Sequence, residues 1–253
     1  MPEAPLSMNA AYAAVLVVIV FASTVKSALG FGFPLITVPI AANLLGARTA
    51  VILIAVPVVF ANFLIIIRGG GRLIDLRQHG GLLLGIIAGT VAGAQLLSRL
   101  DPGLLSLIVG LSALVFAAFA LVNRTPTISL RTQTLAGPGI GLVSGVMGGT
   151  TGIFAPLVAA YLHSLRLEKR EFVFWLTASF LLGGLVQTVS YYQLGLYTGS
   201  TFVYALIACL PVIAGTRLGF WIQDRLAAET FRRLVLVLVL VSGLNLVVRQ
   251  LLK

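Results

Sequence analysis

Two stretches decide how this chain folds: SALGFGFPLITVP at residues 27–39 and SGVMGGTTGIFAP at residues 144–156. Each sets a glycine cluster inside apolar surroundings and follows it with proline. In the first, Gly30-Phe31-Gly32-Phe33-Pro34 leads to Pro39. In the second, Gly148-Gly149-Thr150-Thr151-Gly152 leads to Pro156. Glycine frees the backbone, and proline removes a donor and clashes with the preceding helical turn. Both stretches therefore read as apolar segments interrupted at depth.

What lies around them is too apolar for a soluble domain. Of 253 residues, 59% are hydrophobic and 9% charged, against about 25% charged in soluble domains. Several runs carry no Asp, Glu, Lys or Arg: Thr49–Ile67, Gly81–Ser98, Pro102–Asn123 and Phe172–Thr216. A bilayer crossing takes about 20 apolar residues as a helix, and the last run is long enough for two. Barrel strands alternate apolar and polar residues, whereas these runs are apolar on every side. The first apolar run is expected to be retained, since Glu3 and the lack of an early basic cluster do not fit a cleavable signal. The reading is an all-α integral membrane protein, multi-pass, in the inner or plasma membrane.

The polar stretch NRTPTISLRTQ at residues 123–133 divides the chain into similar halves. The division expected is 1–123 for a first transmembrane repeat, 124–133 for a linker and 134–253 for a second. In each half the broken segment is followed by a span with one amide inside, Asn62 and then Gln187. The next spans carry Val91-Ala92-Gly93-Ala94-Gln95 and Ile213-Ala214-Gly215-Thr216-Arg217. Loops rich in Lys and Arg face the cytoplasm. The loop after Asn62 holds Arg68, Arg72 and Arg77, while its counterpart at 193–200 has no charge. Equivalent loops then lie on opposite sides, as inverted repeats require. The map places Arg124, Arg131, Arg166, Lys169, Arg170, Arg225, Arg232 and Arg233 inside as well, and Arg48, Arg99, Arg249 and Lys253 outside. It predicts two inverted repeats, each a broken or re-entrant hairpin segment plus three transmembrane helices. The alternative for each broken segment is one long kinked span. The net charge of +10 is explained by this asymmetry and calls for no nucleic acid.

Broken helices at matching positions of two halves point to a transport site, and helix N-termini attract anions. Gly30, Phe31, Gly32 and Phe33 would form one side of an anion cradle, and Gly148, Gly149, Thr150 and Thr151 the other. Taken singly, such glycines serve helix packing more often than binding. Lys26 lies within the first apolar segment, where charge is costly and usually functional, unless it snorkels to the interface. Arg217 is either an oxyanion ligand or a helix-end residue at the interface. Asn62 and Gln187 are neutral donors for the cradle, or else interhelical hydrogen-bond partners. The threonines could donate to a ligand or bond back to their own helix. All seven acidic residues fall in loops or at span ends, so no carboxylate is expected at mid-membrane for a coupling proton or sodium. No hydrolase or nucleotide motif is present, and the single Cys209 offers no thiolate metal site. The chain is expected not to be an enzyme and to need no cofactor.

At these residues the sequence resembles the sulfite exporter TauE/SafE family. The matching features are Ala28-Leu29-Gly30-Phe31-Gly32 leading to Val38-Pro39, Gly145-Val146-Met147-Gly148-Gly149 leading to Ala155-Pro156, and the turns at Gly71-Arg72 and Gly195. The resemblance covers nearly the whole chain and implies transport of sulfite or small organosulfonates across a bacterial inner membrane. Two departures from the family's glycine-rich triplet bear on substrate: Phe31 and Phe33 interrupt the first cluster, and Thr150 and Thr151 replace glycine in the second. A phenylalanine pair suits an anion with a short carbon part, such as sulfoacetate. The expected function is alternating-access transport of such an anion. The rival readings are an anion channel of the same fold and a non-transporting membrane subunit or scaffold. Expected partners are the small anion and the lipid bilayer, with a homo-oligomer left open.

Overall fold

The computed structural model describes residues 8–30, 32–69, 76–122, 130–223 and 228–252, and among them every regular element is an α-helix. The first half contains α1 (Met8–Leu29), α2 (Phe33–Leu45), α3 (Ala47–Gly69), α4 (Leu76–Arg99) and α5 (Pro102–Val122). The second contains α6 (Leu130–Thr151), α7 (Ala155–Ser164), α8 (Lys169–Gln193), α9 (Gly199–Ile207), α10 (Cys209–Gln223) and α11 (Ala228–Leu251). Phe31, Arg72, Arg124, Arg225, Lys253 and most of the expected linker lie outside the described residues.

Five segments are long and apolar enough to cross a bilayer: Met8–Ala28, Ala47–Arg68, His79–Arg99, Lys169–Gln193 and Gly199–Ile222. Val17, Leu84, Leu210 and Val241 are each more than 60% exposed. Such apolar surface suits lipid and would drive aggregation in water. This is a multi-pass helical membrane protein. The segment Gly199–Ile222 is divided at Ala208 between α9 and α10. Pro211 accounts for the division, because it cannot donate to the carbonyl four residues back.

Both broken segments form a helix, a break and a second helix. The first break falls at Gly30–Gly32, where both glycines have positive φ, 88° and 112°. The second falls at Gly152–Phe154, with Gly152 at φ 77°. The arms are unequal. α1 has 22 residues and α2 has 13, lengths of about 33 and 20 Å. The hydrocarbon core is about 30 Å thick, so α1 can cross on its own and α2 cannot. α6 and α7 repeat the pattern with 22 and 10 residues.

Contacts between the halves hold the bundle together. Gly85, Gly89 and Gly93 of α4 lie against Gly141, Gly145 and Gly149 of α6. A Cβ on Gly85, Gly89 or Gly93 would strike the carbonyls of Pro138, Leu142 and Val146; one on Gly141, Gly145 or Gly149 would strike those of Leu82, Ile86 and Thr90. Glycine at every fourth residue of both helices thus brings the backbones together, the close approach that stabilises helix pairs where water supplies no driving force. α10 packs on α1 in the same way, Gly215 against Val20 and Ser23, and Gly219 against Thr24 and Ser27. α3 packs on α8, and α5 meets α11 through Gly110 and Gly243. Hydroxyls inside the bundle bond within their own helices: buried Ser23 to the Ile19 carbonyl, buried Thr37 to Phe33 and half-buried Thr188 to Gly184.

Candidate functional site

A small cavity lies where the two breaks meet. Its walls are Lys26, Gly32 and Pro34 from the first broken segment, Val58 and Asn62 from α3, Ile153 and Phe154 from the second break, and Phe180 from α8. Its volume is about 20 Å³, room for about one water and too little for a sulfur oxyanion. All these residues except Pro34 are buried.

Lys26 is the one charged residue among the described residues that line it, and is 2% exposed. The Gly30 N–H donates to the Lys26 carbonyl at 2.7 Å, so the side chain leaves the last turn of α1. A cation is favoured there by the partial negative charge of a helix C-terminus. Nζ stands 5.4 Å from the centre of the Phe180 ring, within cation–π range. Asp101, Glu168 and Glu171, the acidic residues whose side chains are described, are exposed. A buried cation whose cavity holds no carboxylate is a strong attractor for a small anion.

Two helix N-termini open on the same cavity. α2 starts after Gly32 and α7 after Phe154, and neither has a side-chain cap. Pro34 and Pro156 occupy the first turns, where the missing proline N–H costs nothing. Positive helix ends and Lys26 therefore face the same space. Asn62 is fully buried; its Nδ2 donates to the Val58 carbonyl at 2.8 Å, and Oδ1 has no hydrogen-bond partner. The amide keeps one N–H and an acceptor for whatever enters.

The other expected site residues lie elsewhere. Gly148–Thr151 form the last turn of α6 rather than the break itself, which begins one residue later at Gly152. Thr150 donates to the Val146 and Gly93 carbonyls, at 2.8 and 3.1 Å, and Thr151 donates to Met147 at 2.7 Å. Those bonds carry the helix to its end and leave the hydroxyl protons engaged. Gly148 makes room for the Phe154 ring, and Gly149 for α4. Gln187 ties down the same turn: Nε2 donates to the Gly148 carbonyl at 2.9 Å and to the Tyr191 hydroxyl at 2.7 Å. Tyr191 in turn donates to the Gly149 carbonyl at 2.6 Å. Phe33 is buried in the first turn of α2, Gly30 is partly exposed, and Arg217 is exposed on α10, away from the cavity.

Sequence reasoning missed Phe154, Phe180 and Tyr191. Phe154 directly precedes Ala155-Pro156 in the quoted stretch, and Tyr191 stands one helical turn after Gln187, so both had a local signal. Phe180 had none. Replacing Tyr191 with phenylalanine takes one donor from the Gly149 carbonyl and one acceptor from the Gln187 amide, a loss of about 1–3 kcal/mol. The expected result is a lower thermal midpoint in detergent; an unchanged midpoint would show that these bonds do not hold the α6 terminus.

A multi-pass helical bundle with two broken helices and a buried cation between them has the form of a membrane transporter for anions. The sequence profile of the sulfite exporter TauE/SafE family matches residues 15–246, and the chain belongs to that family. The family is one of membrane transporters for sulfur anions such as sulfite. Neither the curated proteins nor the solved structures gave a match.

Proposed function

We propose that the protein is a secondary transporter that moves a small sulfur-containing anion, a sulfonate such as sulfoacetate or sulfite itself, across the inner membrane by alternating access. The observation that carries this reading is Lys26, buried at a cavity built jointly by both breaks. The anionic head sits between the N-termini of α2 and α7, neutralises Lys26 and takes a hydrogen bond from Asn62. Gly30, Phe31, Gly32 and Phe33 shape one side of the site. Gly148, Gly149, Thr150, Thr151 and Gln187 act from behind it, holding the α6 terminus in place. Arg217 has no part in this arrangement and is assigned to the membrane interface.

Alternating access is favoured over a channel because the cavity holds about one water, so an anion can be accommodated only if the walls move. Inverted repeats at 1–123 and 134–253, joined by a linker at 124–133, give a natural basis for such movement. The packing of α4 on α6 and of α10 on α1 supports the repeat, since α4 corresponds to α10 and α6 to α1, so that the two contacts are counterparts of one another across the halves.

The test is thermal stabilisation of the purified protein by sulfite, thiosulfate, sulfoacetate, taurine, sulfate and acetate, followed by counterflow in liposomes with whichever binds. A ligand specific to the folded state adds about 2.7 kcal/mol at one hundred times its Kd. A shift confined to sulfonates or sulfite, with saturable counterflow, is expected. No shift with any of them at millimolar concentration would overturn the reading in favour of a scaffold subunit.

A further inference from the structure

A second and larger cleft lies one helical turn from the central cavity. It has a volume of about 340 Å³ and is walled by Ile65 and Ile66 of α3 and by Val173, Phe174 and Thr177 of α8, with Lys169 and Arg170 beside them. The same two helices line both spaces: Asn62 and Phe180 face the central cavity, while Ile65, Ile66 and Thr177 come next along α3 and α8. Thr177 is fully buried in the cleft wall, and its hydroxyl has no hydrogen-bond partner. Lys169 and Arg170 are exposed. They stand at the start of α8, a 25-residue helix whose N-cap residue, Glu168, makes no side-chain capping bond.

We propose that this α3/α8 cleft is the cytosolic mouth of the transport path, where Lys169 and Arg170 gather oxyanions and Thr177 passes them toward Lys26. The proposal rests on the transport reading above and adds to it the route and the selecting charges. Its side of the membrane follows from the basic residues, since Arg68, Lys169 and Arg170 cluster at one end of α3 and α8 and such clusters face the cytoplasm. Lys169 and Arg170 are the charged groups of the described cleft lining, with Glu168 and Glu171 flanking them at the same helix end. The gain in anion association is therefore expected at the low end of the about 10 to 1000-fold that mouths lined by one sign of charge give. Apolar walls below them favour an anion that carries a short carbon part over a fully hydrated inorganic one. The unpartnered Thr177 hydroxyl supplies a donor in the cleft wall, one helical turn along α8 from Phe180 of the central cavity.

Thiol labelling tests this without reference to flux. In a Cys209→Ser background, Thr177→Cys is exposed to two methanethiosulfonate reagents of similar size, one bearing ethyl sulfonate and one bearing ethyl trimethylammonium. In inside-out vesicles at low salt the sulfonate reagent is expected to react about tenfold faster than the cationic one. Lys169→Gln should narrow that ratio, as should raised ionic strength without any substitution, and sulfoacetate should slow the labelling. Reaction only in right-side-out vesicles, or a charge preference unmoved by Lys169→Gln and by salt, overturns the proposal. So does protection by phosphatidylglycerol but not by sulfoacetate, which would assign the cleft to lipid. Because labelling does not depend on turnover, a protein that shows the expected pattern but no counterflow refutes the transport reading and leaves the anion cleft standing.

Discussion

Lys26→Met is expected to abolish anion binding and transport while leaving the protein as stable as before, or more so. The two effects have one origin. The ammonium group is buried against Phe180, and removing a charge from water costs several kcal/mol that a helix end and a ring face return only in part. Methionine matches the length of the stem without the charge, so the empty protein is relieved of that cost. The anion loses its one full countercharge. At one hundred times the wild-type Kd the wild type gains about 2.7 kcal/mol, and a variant bound a hundredfold more weakly gains only about 0.4 kcal/mol. Thermal melts with and without ligand, beside counterflow in liposomes, read both quantities. A variant that is still stabilised by sulfite or sulfoacetate would remove Lys26 from the site. One that melts well below the wild type without ligand would instead make Lys26 structural.

The second large effect is expected at the glycine ladder. Gly145→Leu drives a side chain into the Ile86 carbonyl and the backbone at Thr90, and no rotamer avoids main chain. Overpacking costs about 1–3 kcal/mol where side chains can adjust; here neither helix can, so a loss of at least about 3 kcal/mol is expected. Gly139 provides the control on the same helix, since a Cβ there meets nothing within 4 Å and Gly139→Leu should stay within about 0.5 kcal/mol. Thermal midpoints and the monodisperse fraction in detergent distinguish them. Equal behaviour of the two variants would mean that α4 and α6 do not pack as described.

The helices were legible because lipid makes the requirement simple: a run of uncharged residues about 20 long has few alternatives. The breaks were legible for a related reason, since Gly30, Gly32 and Gly152 interrupt apolar sequence just ahead of Pro34 and Pro156. Lys26 stood out as the charge nearest a break. Its ring partner did not, because Phe180 reaches it only through the packing of α8, and nothing near position 180 marks one phenylalanine among fourteen. Gln187 shows a different limit. Its depth announced a polar role, but whether it faces a ligand or the Gly148 carbonyl depends on where α6 ends, and that in turn depends on Thr150 and Thr151 bonding back along the helix. The four-residue spacing of Gly85, Gly89 and Gly93 was plain in the sequence. Which helix it met was not, because helix pairing is decided by the whole bundle.

The one-water cavity between the two breaks also bears on how the membrane stays insulated. A potential of 100 mV is worth about 2.3 kcal/mol for each charge that crosses, and any continuous file of water through the bundle would let protons run down it. A space of about 20 Å³ walled by Phe154, Phe180 and Ile153 leaves no room for such a file at that point. The closed cavity is therefore a plug, and in the proposed alternating-access cycle its wall aromatics would have to open for the substrate without ever opening to both faces together. Substitutions that enlarge this space, Phe180→Ala first among them, belong to a class whose harm to a cell would be leakage and not loss of transport.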